Sequence, residues 1–364
     1  MYNVAIIGAG SGGRAFASYL ASKDHLVNLG YRTFRNIRNV LLTSKIQADG
    51  EIKGSFKLNK VSRNYKALIK NVDIILIVVP ANAHKAVMNE IIPYLEDNQI
   101  ILLNPGRTWG AIECYHQIKR IRPDLSIHVG ETQTLLFTCR KKEDYGVSII
   151  KIKNKVNCCF YPEYNNYFVS HIINEIFPQL EFVDDIRITS LNNIGAIVHP
   201  TTVLFNAGSI CRKQPFLFYR TGNKGAISNI AEQVDKERCE ILNALGVKAL
   251  SFLDWVKDVY GIDAHSFDEA FKKIPSYETI GAPSSLRMRY LTEDVPTGLV
   301  PLSSLGSELK IPTPTIDSLI KLTDVLLQTN YEITGRTIKN VNLPMELFTT
   351  EEIYPSETHE IYEF

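Results

Sequence analysis

The sequence predicts an α/β chain of two domains: an N-terminal Rossmann-type doubly wound sheet, then an all-helical C-terminal domain. Three observations carry that expectation. A glycine turn separates a strand from a helix at the N-terminus, strand and helix patterns alternate to about residue 185, and only helical periodicity follows from Ser190. The change of pattern puts the domains at 1–187 and 188–343. An acidic tail at 344–364 holds six glutamates and no lysine or arginine, and reads equally as a subunit arm and as a loosely ordered end.

Bulk properties narrow the function. The chain has 364 residues, 45% apolar and 22% charged, enough to build two ordinary cores. Forty Lys plus Arg against 39 Asp plus Glu give a net charge of +1, which offers no electrostatic case for nucleic acid. No apolar run approaches the ~18 residues of a membrane span, and the N-terminus enters a strand pattern with no leader in front of it. Cys114, Cys139, Cys158, Cys159, Cys211 and Cys239 show no CxxC spacing and read as idle thiols of a reducing compartment. These features predict a soluble cytoplasmic protein, with a homodimer as the candidate assembly.

In chain order, residues 2–7 read as a buried strand and 14–22 as a helix. Between them Gly8, Gly10 and Gly13 stand in GxGxxG spacing, with Ser11 and Gly12 inside the turn. Strand, tight turn and helix N-terminus form the cradle that a dinucleotide pyrophosphate requires. A second strand at 26–31 ends without the acid that would bond an NAD ribose. Arg32, Thr33, Arg35 and Arg38 follow instead, groups that suit a 2′-phosphate, so NADP is the preferred cofactor and NAD the alternative. The same arginines would also suit a solvated loop.

Residues 72–80, ending at Pro80, form a near-continuous apolar run, as in a parallel strand covered on both faces. A helix pattern at 83–95 and a strand at 99–103 lead into residues 104–108, a loop at the carboxyl end of the sheet, where cofactor and substrate meet. Strands are expected at 126–129 and 147–152. Between them Glu131, Cys139 and Arg140 could border a pocket, or serve structure alone. A helix at 167–177 and a strand at 180–183 complete the alternation. Helices are then expected at 193–207, 225–245, 251–259 and 316–327.

Two stretches of the second half carry chemistry. Residues 287–306 crowd Arg287, Arg289, Tyr290, Glu293 and Asp294 directly before an apolar run broken by Pro296, Gly298 and Pro301. Charges placed there are costly unless paired, so the stretch either faces solvent or lines a polar cleft. His199, followed by Pro200, lies on an otherwise apolar helix. A core histidine and a catalytic one both fit that setting, and a carboxylate partner would decide for catalysis; Asp294 is the candidate. Metal binding is not expected, since no second His or Cys stands three or four residues away.

The motifs together resemble the octopine/nopaline (opine) dehydrogenase family. The resemblance rests on GAGSGG at 8–13, NNIGAIVHP at 192–200, FYR at 218–220, MRYLTEDVP at 288–296 and TGR at 334–336, followed by Asn342 and Leu343. It covers residue 1 to about 343. It implies reductive condensation of an amino acid with a small, pyruvate-like 2-oxo acid by NAD(P)H, in a cleft between the two domains. His199 matches the family's catalytic histidine, Asp294 its aspartate partner and Asn193 the asparagine ahead of them. Arg289 matches the arginine that reaches the cofactor pyrophosphate, and Cys139-Arg140 the pair beside the substrate pocket. Tyr219 and Glu131 are further candidates for a polar substrate cavity. The competing expectations are a ketopantoate- or glycerol-3-phosphate-type reductase, which would look to a lysine rather than a His–Asp pair, and an NADP-binding sensor without catalysis, which would need neither.

Overall fold

The computed structural model describes residues 1–348. Its strands are β1 (Asn3–Ile7), β2 (Leu26–Gly30), β3 (Lys45–Gly50), β4 (Gly54–Lys57), β5 (Lys60–Ser62), β6 (Ile74–Ile77), β7 (Gln99–Leu103), β8 (Ile127–Thr132), β9 (Phe137–Lys142), β10 (Gly146–Ile152), β11 (Val156–Tyr161) and β12 (Leu180–Phe182). Eight of them form one sheet in the order β12-β11-β8-β7-β6-β1-β2-β5, parallel except for the β8–β11 pair. Every residue of β6 and β7 is buried, which is why β6 read as part of a near-continuous apolar run and β7 is apolar after Gln99. Helices α1 (Ser11–Ala21), α2 (Arg38–Thr43), α3 (Tyr65–Ile69), α4 (His84–Ile91), α5 (Gly110–Ile121) and α6 (Asn165–Ile176) flank the strands. The strand order reverses between β1 and β6. The loops after those two strands therefore open a crevice at the carboxyl edge, the position where such sheets bind ligands.

A second, four-stranded sheet, β4-β3-β10-β9, was not expected. Strands β3 and β4 fall in a stretch whose apolar pattern is weak because β4 has no fully buried residue, and β9 lies in a segment read as a connection. This sheet packs on α1, where Phe16 meets Phe137 edge-on at 4.8 Å. Arg14, fully buried on α1, ties the layers together: its guanidinium donates to Ala9 O (3.1 Å), Glu143 O (3.1 Å) and Gly146 O (2.9 Å).

After β12 the chain is helical among the described residues: α7 (Ile186–Leu191), α8 (Ile194–Phe205), α9 (Ala207–Cys211), α10 (Ala226–Ala244), α11 (Phe252–Tyr260), α12 (Phe267–Lys273), α13 (Arg289–Thr292), α14 (Val300–Leu309), α15 (Pro314–Leu327), α16 (Tyr331–Thr334) and α17 (Ile338–Val341). Buried polar groups fix this packing. Glu237 accepts from Thr315 N and Ile316 N, both at 3.0 Å, satisfying open donors at the start of α15. Arg238 is paired to Asp235 and bonds Leu191 O and Asn192 Oδ1, so α10 holds the turn that leads into α8.

Residues 344–348 belong to this packing rather than to a free tail, because Leu347 and Phe348 are buried in the core. The acidic remainder, 349–364, lies outside the described residues. No helix among the described residues is long and apolar enough to cross a membrane, and no group of His, Cys, Asp and Glu is placed to hold a metal ion.

Candidate active site

The glycine turn is shaped by contacts that only glycine allows. Gly8 sits at φ +122°, and a Cβ there would overlap the Val78 carbonyl; one on Gly13 would overlap Gly8 O. At Gly10, by contrast, nothing lies within 4 Å of the missing Cβ, so the turn is packed from behind and open in front at the start of α1. Ser11 Oγ accepts from Lys141 N at 3.0 Å and keeps its own proton to donate. These residues fit a dinucleotide pyrophosphate, and Pro80 is exposed at the end of β6 across the crevice.

At the adenosine end, Arg32, Thr33 and Arg35 are exposed just past β2. A further group joins them that sequence reasoning missed. Strand β5 pairs in parallel with β2, setting Ser62 opposite Gly30, so Arg63 emerges beside Arg32; both act electrostatically on Tyr65. The pairing of a three-residue edge strand is invisible in the sequence.

The candidate side chains gather where the helical domain meets the carboxyl edge of the sheet. Helix α8 presents His199, whose Nδ1 lies 2.7 Å from Asp294 Oδ2. Asp294 is fully buried and opens a π-helical turn, Val295–Leu299, in which Leu299 N bonds back to Asp294 O at 3.1 Å. The turn approaches α8 closely because residue 298 is glycine; a Cβ there would lie 2.5 Å from that of Ala196. Since a carboxylate only accepts, His199 carries its proton on Nδ1, and Nε2 accepts from Tyr219 OH at 3.0 Å. The Tyr290 ring stacks on the imidazole at 4.2 Å.

Electrostatics set the resting states. Burial pulls the His199 pKa down, and the opposing pull of Asp294 does not restore it, so the ring is neutral near pH 7. Burial would raise Asp294, but Arg107 and then His199 outweigh it and the group stays ionised.

Arg107 is the principal residue absent from the sequence-based set. It stands in the loop after β7, with φ +61°. Its Nη1 donates to Asn193 Oδ1 (2.6 Å), Nη2 lies 3.4 Å from Asp294 Oδ1 and Nε lies 3.5 Å from Glu293 Oε1. Desolvation of its guanidinium is overcome by these two acids, and its pKa rises. A left-handed backbone at a non-glycine residue costs on the order of 1–3 kcal/mol and persists where the surroundings impose it. The position of residues 104–108 was legible, but not which of their side chains would turn inward.

Other expected site residues fall on both sides of the cleft. Asn193 orients Arg107, and its Nδ2 is buried without a partner among the described residues. Arg289 is exposed at the start of α13, 5.9 Å from the centre of the Tyr290 ring, and its charge is felt at His199. Arg140, exposed on β9, acts on Tyr290 from the opposite domain. Cys139 is half-buried beneath it, with its thiol pushed up to about 11 by burial, so it stays protonated. Tyr219 contacts His199 directly and stacks on Tyr277 at 3.8 Å; it is 7% exposed, a partner of the histidine rather than an open cavity wall. Glu131 needs correction. It does not border the cleft: it is fully buried, and it accepts from Ala111 N (2.9 Å), Thr189 Oγ1 (2.9 Å) and Ser190 Oγ (2.6 Å). Its carboxylate joins α5 to α7, leaving no face for a substrate.

The seam is locked by Arg336, 3% exposed, from the Thr-Gly-Arg stretch. It donates to Glu113 Oε2 (2.8 Å), Gly106 O (3.0 Å), Thr108 O (2.9 Å), Ala81 O (3.3 Å) and His84 Nδ1 (3.0 Å). Through the two loop carbonyls it fixes the backbone on either side of Arg107.

A dinucleotide cradle facing a helical domain, with a carboxylate–imidazole pair at the seam, defines an NAD(P)-dependent dehydrogenase. Comparison with known proteins narrows the class. The family described as "NAD/NADP octopine/nopaline dehydrogenase, alpha-helical domain" matches residues 183–327, and ketopantoate reductase PanE/ApbA matches residues 4–123 only, short of His199 and Asp294. An opine dehydrogenase of Arthrobacter sp. (strain 1C) is 35% identical over 340 residues, covering 93% of this chain and 94% of its own. Octopine dehydrogenase in complex with NADH and L-arginine superposes with a TM-score of 0.75 at 18% identity, covering 95% of this chain and 96% of its own. Yersinopine dehydrogenase with NADP+ bound gives 0.73 at 14% identity, covering 96% and 98%. The chain belongs to the octopine/nopaline (opine) dehydrogenase family.

Proposed function

We propose that the protein uses NADPH to condense the α-amine of an amino acid with a small, pyruvate-like 2-oxo acid, forming an N-(carboxyalkyl)amino acid. The observation that carries this reading is a buried neutral imidazole, held by Asp294 at Nδ1 and bonded at Nε2 only by the Tyr219 hydroxyl among the described residues. The amine nitrogen attacks the oxo carbon and passes one proton to the carbonyl oxygen, which becomes a hydroxyl; the nitrogen then gives up a second as that hydroxyl leaves as water, giving a C=N bond. A neutral Nε2 is the base for the nitrogen's proton, and the imidazolium so formed, stabilised by Asp294, returns it to the departing hydroxyl. Tyr219, which donates to Nε2, is the group an entering substrate displaces. When bound, the cofactor supplies the hydride that reduces the imine carbon.

Arg107 holds Asp294 ionised and Asn193 in line, so these two are positioning groups for the pair. Arg289, on the helical domain, and Gly8, Gly10, Ser11, Gly12 and Gly13, on the sheet domain, are placed to grip one cofactor from both sides, so that binding draws the domains together and excludes water. Because relatives of this fold carry either NADH or NADP+, preference rests on this chain's own residues. Arg32, Thr33, Arg35 and Arg63, with no acid at the end of β2, favour a 2′-phosphate.

Substituting His199→Ala tests the assignment. Turnover falls about 10²–10⁴-fold while NADPH affinity, read by its fluorescence, stays within threefold. Normal turnover would remove His199 from the mechanism.

A further inference from the structure

Both proposed substrates bring a carboxylate into the cleft, and each requires a cation not already committed. Arg107 does not qualify, since Glu293 and Asp294 both lie within 3.5 Å of it. Arg289 and Arg140 are exposed. A further cation lies deeper.

Lys153 follows β10, and its backbone N donates to Leu136 O at 3.0 Å while Nζ donates to Thr134 Oγ1 at 2.8 Å. That bond places the amine on the segment 132–136, whose surroundings locate it. Gly106 N bonds Thr132 O (3.2 Å) and Leu136 N bonds Asn104 Oδ1 (3.2 Å), so the segment runs beside the Arg107 loop. The Leu135 side chain lies against Gly12 of the cofactor turn. Lys153 therefore stands on the wall between the pyrophosphate cradle and the His199 site, at the carboxyl edge of the sheet.

The charge acting on Lys153 is a second cation, Arg107, and among the described residues no carboxylate pairs with it. Burial first, and Arg107 second, lower its pKa to about 8. A half-buried ammonium that feels another cation and is held only by the Thr134 hydroxyl is unfavourable in the free protein and is relieved when an anion enters.

We propose that Lys153 is a substrate-binding residue whose ammonium receives the carboxylate of an entering substrate, from the sheet-domain side of the cleft. The inference rests on the condensation reading for the identity of that anion. The 2-oxo acid and the amino acid supply the same chemistry, and the test separates them.

Wild type, Lys153→Met and Lys153→Arg are compared with NADPH, pyruvate and an equimolar amino-acid mixture as probes. For Lys153→Met, the KM for pyruvate or the half-saturating concentration of the mixture rises about tenfold to a hundredfold, with kcat within threefold of wild type. Lys153→Arg recovers most of the loss. The parameter that moves identifies the carboxylate. Both parameters unchanged within twofold, a loss confined to kcat, or a loss of NADPH affinity alone would overturn the proposal, the last by assigning Lys153 to the cofactor. If wild type turned nothing over, the condensation reading would fail on its own. Pyruvate and the amino-acid mixture, each titrated against the fluorescence of bound NADPH, would still decide: binding of either that weakens tenfold in Lys153→Met supports the assignment, and binding of both unchanged or absent overturns it.

Discussion

At the scale of single residues, His199 is held between opposed influences. Burial lowers its pKa below the ordinary 6.5, and Asp294 partly offsets that. Protonation of Nε2 removes the base, so the acid limb of kcat/KM lies below pH 6.5 and activity is lost as pH falls through it. In Asp294→Asn the offsetting charge is gone. The limb then moves to still lower pH, while turnover at neutral pH falls roughly ten- to a hundredfold, less than in His199→Ala. A pH–rate profile checks this; a limb that stays put or moves upward would contradict the pairing. His199 and Asp294 were legible because polar residues set in apolar sequence demand a partner, and each supplied the other's. Arg107 was not, because a left-handed backbone in a folded loop aims it. Glu131 was misread for a related reason: strand position alone does not tell a carboxylate lining a cleft from one satisfied inside the protein.

At the scale of elements, the site is held by a loop, a turn and a clamp rather than by regular structure. Strand β7 and helix α8 lay close to where the apolar pattern put them, because long buried runs are strong signals. Strand β10 was expected at 147–152, but the second sheet was not legible as a sheet, since β3, β4 and β9 are partly exposed and the β3–β10 pairing that joins its two hairpins spans about a hundred residues. Nor was the clamping role of Arg336, marked in the sequence only as part of the TGR motif, because its five acceptors come from segments more than two hundred residues away in sequence. Replacing it by methionine leaves three buried carbonyls and Glu113 without their donor, which costs about 3–5 kcal/mol. Urea unfolding reads that loss directly. Arg336→Lys recovers little of it, because one ammonium cannot span the five acceptors of a planar fork. A loss below about 1 kcal/mol for Arg336→Met would show that the seam is held elsewhere.

At the scale of the whole molecule, the division of labour follows from the architecture. The sheet domain offers the glycine turn, the arginines past β2 and β5, and Arg107; the helical domain offers His199, Asp294 and Arg289. Neither half contains the whole proposed site, so on this account chemistry requires the cleft between them. The central claim is that this cleft joins two substrates and reduces the product of their union. Its most direct test is consumption of NADPH, and in parallel NADH, with pyruvate and each of twenty amino acids, alone and combined. Oxidation that needs the oxo acid and the amine together, and proceeds faster with NADPH, is the predicted result. Oxidation with pyruvate alone, unaffected by any amine, would contradict the account and mark the protein as a simple 2-oxo acid reductase.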